Sequence, residues 1–142
     1  MVSLRGHRAY LDASTIIYAF EGIAQFANLQ TGLLDLLDGE EMTAITSELS
    51  SLEVLTGPRK AGNQPLETTY RAFLAPSPVM LTEPVSSAVL EKAIDLRAMY
   101  GLKTPDAIHV ATGLLTDCSI FVTRDQAWAK AGITVVEPQD IG

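Results

Sequence analysis

Leu102 to Trp128, reading LKTPDAIHVATGLLTDCSIFVTRDQAW, holds the pattern that decides the fold. Thr104 is placed to cap a helix, and Pro105 sits in its first turn, where a missing N–H costs nothing. Ala107, Val110, Ala111 and Leu114 then recur at helical spacing as a buried stripe. Ser119 to Val122 follows as a short apolar run and reads as a strand, and Thr123-x-x-Gln126 resembles a capping box opening a short helix. A continuous apolar strand set between amphipathic helices belongs to a parallel sheet covered on both faces.

The same alternation extends outward. Ala9 to Leu11 is a strand followed by Asp12 and a helical pattern in Ile16, Ile17, Ala19 and Phe20. Ala24 to Leu37 reads as a helix stopping at Asp38-Gly39, Met42 to Ile45 as strand two, and Val79 to Leu81 as strand three. Between them, Thr46 or Ser47 caps a helix expected to end at Gly57-Pro58. Gly57 to Pro65 is expected to be a mobile loop, with a helix over Leu66 to Ala75 after it. Pro84 to Gly101 is helical, and Ile133 to Val136 is strand five. The class is α/β, one domain over residues 1–142, with a mostly parallel sheet.

Composition bounds the function. The chain has 142 residues, 47% hydrophobic and 19% charged, enough to bury a sizeable core. Its one cysteine, Cys118, has no disulfide partner and reads as a small buried hydrophobe, which fits a reducing compartment. There is no signal-peptide core behind the first residues and no apolar run of membrane-spanning length, so the expected location is the cytoplasm, away from membranes. A formal charge of −7 argues against a protein that coats nucleic acid electrostatically. It leaves room for an enzyme that touches RNA locally, if cations neutralise part of that charge.

In a sheet of this kind ligands bind beyond the carboxyl ends of the strands, where the strand order reverses. Asp12 directly follows strand one, Asp125 follows strand four by two residues, and Asp106 lies in the first turn of the helix opened by Pro105. Capping explains any one of them. Together they make a set of mutually repelling carboxylates, which proteins keep ionised mainly with a divalent cation. Hard oxygen donors call for Mg²⁺ or Mn²⁺. Glu48 and Glu53 lie about 140° apart around their helix, so only one faces the site, and periodicity leans toward Glu53 without deciding.

Four segments, YLDAS around Asp12, LEVLTGP around Glu53, LKTPDAIHVATGLL around Asp106 and FVTRDQAW around Asp125, resemble the PIN domain. Within it the chain is similar to the VapC-like toxins of toxin–antitoxin pairs. The resemblance spans nearly the whole chain. It implies a three-layer α/β/α domain of five strands in the order 3-2-1-4-5, and it selects Glu53 over Glu48. It further implies that Asp12, Glu53 and Asp106 hold a metal directly or through water, that Asp125 completes the cluster or holds a second ion, that these four carry catalysis, that RNA is the substrate, and that the protein is a homodimer bound by a small antitoxin.

The chemistry implied is hydrolysis of an RNA phosphodiester by an endoribonuclease using metal-activated water, with no side-chain nucleophile. Ser14 and Thr123, each within two residues of a carboxylate at a strand end, are candidates to hydrogen-bond it, and His109 lies three residues beyond Asp106 on nearly the same helix face. For His109 a core-edge structural role competes with that one. Arg124, Lys103, Arg59 and Lys60 are the candidate phosphate contacts, and no aromatic stacking platform is evident. Ile16 to Leu37 is a candidate groove or dimer face. A dehalogenase-like phosphatase would need an acid where Ser14 stands, and a receiver domain a lysine after strand five. The alternative of another class is a PIN-fold RNA- or protein-binding module without nuclease activity.

Overall fold

Five parallel strands form one sheet in the order β3-β2-β1-β4-β5 in the computed structural model, which describes residues 1–142. They are β1 (Arg8–Leu11), β2 (Thr43–Ser47), β3 (Met80–Glu83), β4 (Ile120–Val122) and β5 (Val135–Val136). The central strand is β1, in which Tyr10 pairs with Ile45 on one side and Phe121 on the other. The α/β class and the expected strand order are both present.

Successive side chains of a strand point to opposite faces, so the strands feed two cores. Ala9, Leu11, Ala44, Ile120 and Val122 pack with Ile16, Leu29, Leu33, Val54 and Tyr70. Those partners come from α1 (Ala13–Phe20), α2 (Ala27–Gln30), the turn Thr31–Asp35, α4 (Glu48–Ala61) and α5 (Gln64–Leu74), with α3 (Leu36–Asp38) beside them. Tyr10, Ile45 and Phe121 pack on the other face with α6 (Ser87–Tyr100), α7 (Thr104–Leu115) and Trp128 of the 3₁₀ helix Gln126–Ala131. Burial on both faces is why the strands read as continuous apolar runs.

Several local expectations are corrected. Helix α4 does not stop at Gly57-Pro58; it runs through a buried Pro58 to Ala61 and ends on Gly62 at φ 66°. Arg59 reaches Glu67 of α5 with two hydrogen bonds, at 2.7 and 3.0 Å, so tertiary contacts hold the last turn against the local cost of proline. Gly57 to Pro65 is therefore mostly helix. The expected helix over Ala24 to Leu37 is interrupted by a π turn at Thr31–Asp35. There a Cβ on Gly32 would lie 3.1 Å from Ile141, because the C-terminal residues pass close by. Ile16, Leu29, Leu33, Leu36 and Leu37 are buried in the core, so the Ile16 to Leu37 stretch is mostly not an open face.

The caps also differ. Ser47, not Thr46, caps α4 through the Leu49 N–H, while the Thr46 hydroxyl donates to the Leu11 carbonyl at 2.7 Å. Lys103 occupies the N-cap of α7 with Thr104 and Pro105 as the first helical residues, and Asp125 rather than Thr123 caps the 3₁₀ helix, through the Ala127 N–H. Cys118 is half-buried, and burial pushes its thiol up to about 11. Gly113 sets the spacing of α7 against the sheet: a Cβ there would sit 2.1 Å from the Phe121 ring. No helix is long and apolar enough to cross a membrane.

Candidate active site

At the carboxyl ends of β1 and β4, where the strand order reverses, the chain leaves a cavity of about 370 Å³. Asp12 enters it as the N-cap of α1; its Oδ1 accepts the Thr15 N–H at 2.8 Å and its Oδ2 the Thr123 hydroxyl at 2.6 Å. Thr123 in turn accepts the Asp125 N–H at 3.0 Å, and Asp125 Oδ1 accepts the Ala127 N–H at 2.9 Å. From the first turn of α7, Asp106 Oδ1 accepts the Trp128 indole N–H at 3.2 Å. Glu53 comes from mid-α4, with Oε1 2.8 Å from His109 Nε2.

All four expected carboxylates line this one cavity, together with Ser14, Thr123, His109 and Arg124. Ser14 makes no hydrogen bond within the chain to any of them, unlike Thr123. Lys103, Arg59 and Lys60 do not line it; Arg59 is instead engaged with Glu67 on the α4–α5 side. Arg124 is the cavity's only cation.

The Asp106 carboxyl is raised from its ordinary value, first by burial and then by the negative charge of Asp125, with the Trp128 N–H working in the opposite direction. Asp106 thus sits where a negative charge is unfavourable without a compensating cation. Three residues of the site were not singled out from sequence. Trp128 holds Asp106, and Tyr10 meets His109 from beneath. Tyr18 lines the cavity with its ring stacked on Phe26 at 4.0 Å, an aromatic face at the rim where none was expected. Trp128 lies three residues after Asp125, a helical interval that points it back toward the same end of the sheet; nothing comparable marked Tyr10 or Tyr18.

The PIN domain family model matches residues 9–133. The chain belongs to the PIN-domain family. Among solved structures, this PIN domain resembles a toxin–antitoxin complex from Klebsiella pneumoniae, with 27% identity, TM-score 0.67, and coverage of 92% of this chain and 97% of that one. It also shares its fold with FitAcB from Neisseria gonorrhoeae (18% identity, TM-score 0.70, 93% and 99% covered). A third is VapC20 from Mycobacterium tuberculosis, described as a sarcin-ricin loop cleaving toxin (17% identity, TM-score 0.67, 89% and 96% covered). No curated protein matches the sequence.

Proposed function

We propose that this PIN domain is a metal-dependent endoribonuclease that hydrolyses RNA phosphodiester bonds and serves as the toxin of a toxin–antitoxin pair. The observation that carries the reading is the arrival of Asp12, Glu53, Asp106 and Asp125 at one cavity from separate elements of the fold. Similarity to the Klebsiella complex supports a small antitoxin as partner, and the fold is one on which RNA cleavage occurs, as the description of VapC20 states of that protein.

The donor set fits Mg²⁺ or Mn²⁺. Carboxylate oxygens are the ligands these ions take, and no N–H or O–H of the chain donates to Asp106 Oδ2, Asp125 Oδ2 or Glu53 Oε2. No three acidic groups come close enough to enclose one ion, so the fit is to a cation held by one or two carboxylates with water completing its shell, the habit of Mg²⁺. Such a cation supplies acidified water and offsets charge on the phosphate and leaving oxygen.

The remaining work belongs to the chain. Thr123 and the Thr15 N–H hold Asp12 through both of its oxygens, and Trp128 holds Asp106 through Oδ1, leaving Asp106 Oδ2 without a donor. Arg124 supplies the positive charge that draws an RNA phosphate into an acidic pocket. We further place the protein in the cytoplasm as a homodimer; the exposed apolar side chains of Leu90 and Ile94, one turn apart on α6, support the dimer.

The test is incubation with structured RNAs in chelator, Mg²⁺ or Mn²⁺, beside Asp12→Asn and Asp106→Asn. Metal-dependent cleavage lost in both variants is expected. Cleavage that persists in chelator, or is unchanged in the variants, overturns the reading.

A further inference from the structure

Glu53 is 40% exposed at the cavity, whereas the His109 side chain that meets it is 4% exposed. An imidazole so thoroughly buried has no water for its two nitrogens, so the protein must satisfy both. Nε2 lies 2.8 Å from Glu53 Oε1 and Nδ1 lies 2.6 Å from the Tyr10 hydroxyl. Tyr10 is fully buried on the central strand. The His109 ring stacks on Trp128 with centroids 5.7 Å apart and planes at 22°, and Tyr10 closes on both rings. The imidazole is thus held in one orientation.

Its hydrogen can then be assigned from its partners. A neutral imidazole donates from one nitrogen and accepts at the other, and a carboxylate only accepts. In the neutral ring Nε2 therefore carries the hydrogen toward Glu53, Nδ1 is the acceptor, and the Tyr10 O–H donates to it. The other tautomer would aim a lone pair at the Glu53 oxygen.

A histidine that merely filled the core edge would find its partners among buried groups. This one spends a buried N–H on an acidic side chain of the cavity. We propose that Tyr10 and His109 are positioning residues: the phenol fixes the imidazole as the Nε2–H tautomer, which holds Glu53 through Oε1 and keeps Oε2 available to a divalent cation. This rests on the reading of Glu53 as a metal-binding carboxylate, and two measurements separate the failure of one from the failure of the other.

The first is ¹⁵N NMR of the imidazole rings in the metal-free protein. There are two histidines, so His7→Gln assigns the signals. The expected result is a His109 ring carrying its hydrogen on Nε2 alone, drifting toward a tautomer mixture in Tyr10→Phe; an Nδ1–H form, a mixture or a ring protonated on both nitrogens in the unaltered protein overturns the proposal. The second is Mn²⁺ titration by calorimetry. His109→Leu is expected to weaken binding about tenfold, the low end for loss of a group that orients a ligand, with His109→Gln, which keeps an N–H in the Nε2 position, restoring most of it. Equal affinity in His109→Leu and the unaltered protein, or a glutamine variant as weak as the leucine one, overturns it. Should the leucine variant fail to fold, Tyr10→Phe takes its place in the titration, with weakened binding expected and unchanged binding counting against. If the unaltered protein binds no Mn²⁺, the metal reading fails by itself, and the tautomer decides whether the Tyr10–His109–Glu53 arrangement exists.

Discussion

Thr123 donates its hydroxyl hydrogen to Asp12 Oδ2 at 2.6 Å while accepting the Asp125 N–H at 3.0 Å, so one fully buried threonine ties the ends of β1 and β4 to two carboxylates. Thr123→Val keeps the shape and removes both bonds. It is expected to lower kcat/KM for RNA about tenfold, as loss of a group orienting a ligand does. Leaving the Asp125 N–H unsatisfied should cost about 1–2 kcal/mol of stability. Cleavage assays and denaturant unfolding check the two effects, and full activity in the variant would show that Asp12 needs no such support.

Much of this site was legible before the fold was known, for a physical reason: Asp12 and Asp125 sit immediately beyond apolar strands, and a strand end is a place in three dimensions as well as in sequence. Glu53 was different. Helical periodicity left it in competition with Glu48, and only the family resemblance chose. Pro58 misled because the rule that proline ends helices is local, whereas Arg59 and Glu67 hold that turn through contacts between helices. Tyr10 was invisible because a tyrosine in an apolar strand looks like core, and it is core; its hydroxyl matters through His109, which lies far away in sequence.

Gly113 determines how close α7 lies to β4. In Gly113→Ala the new methyl would meet Phe121 at 2.1 Å, and Phe121 packs against Tyr10 and Trp128. Alanine gains roughly 0.5–1 kcal/mol of helix preference, and overpacking costs about 1–3 kcal/mol. A net loss of stability is expected, accompanied by reduced activity because the rings under His109 must shift. Chemical denaturation measures the first; an equally or more stable variant would show that the Phe121 ring moves aside freely.

Acid stability should depend on Glu67. Arg59 first, and then Arg71, hold its carboxyl down at about 2, against an ordinary value of 4.5. Because the folded value is the lower one, the unfolded chain takes up the proton first as pH falls, and the stabilisation present above about 4.5 is lost on the way to about 2. The difference in Tm between the unaltered protein and Glu67→Gln is therefore expected to shrink through that window. A difference that stays constant or widens as pH falls would contradict the pairing.

Arg124 is the only cation at the cavity, and its guanidinium lies 5.9 Å from the Phe26 ring, beside the stacked Tyr18. If it receives an RNA phosphate, Arg124→Gln loses a charge-assisted bond, expected to raise KM about tenfold with a smaller change in kcat. The salt dependence of RNA binding should weaken as well. Steady-state kinetics at two ionic strengths distinguishes this from a loss confined to kcat, which would place Arg124 away from substrate binding.

The central claim is that these carboxylates seat a divalent cation, and Asp106→Asn tests it without RNA. Asparagine keeps the size of the side chain and an oxygen for the Trp128 N–H, and removes the charge. Calorimetric titration with Mn²⁺ is expected to show saturable binding to the unaltered protein and binding at least about tenfold weaker to Asp106→Asn. Absence of binding to the unaltered protein, or equal affinity in the variant, would contradict it.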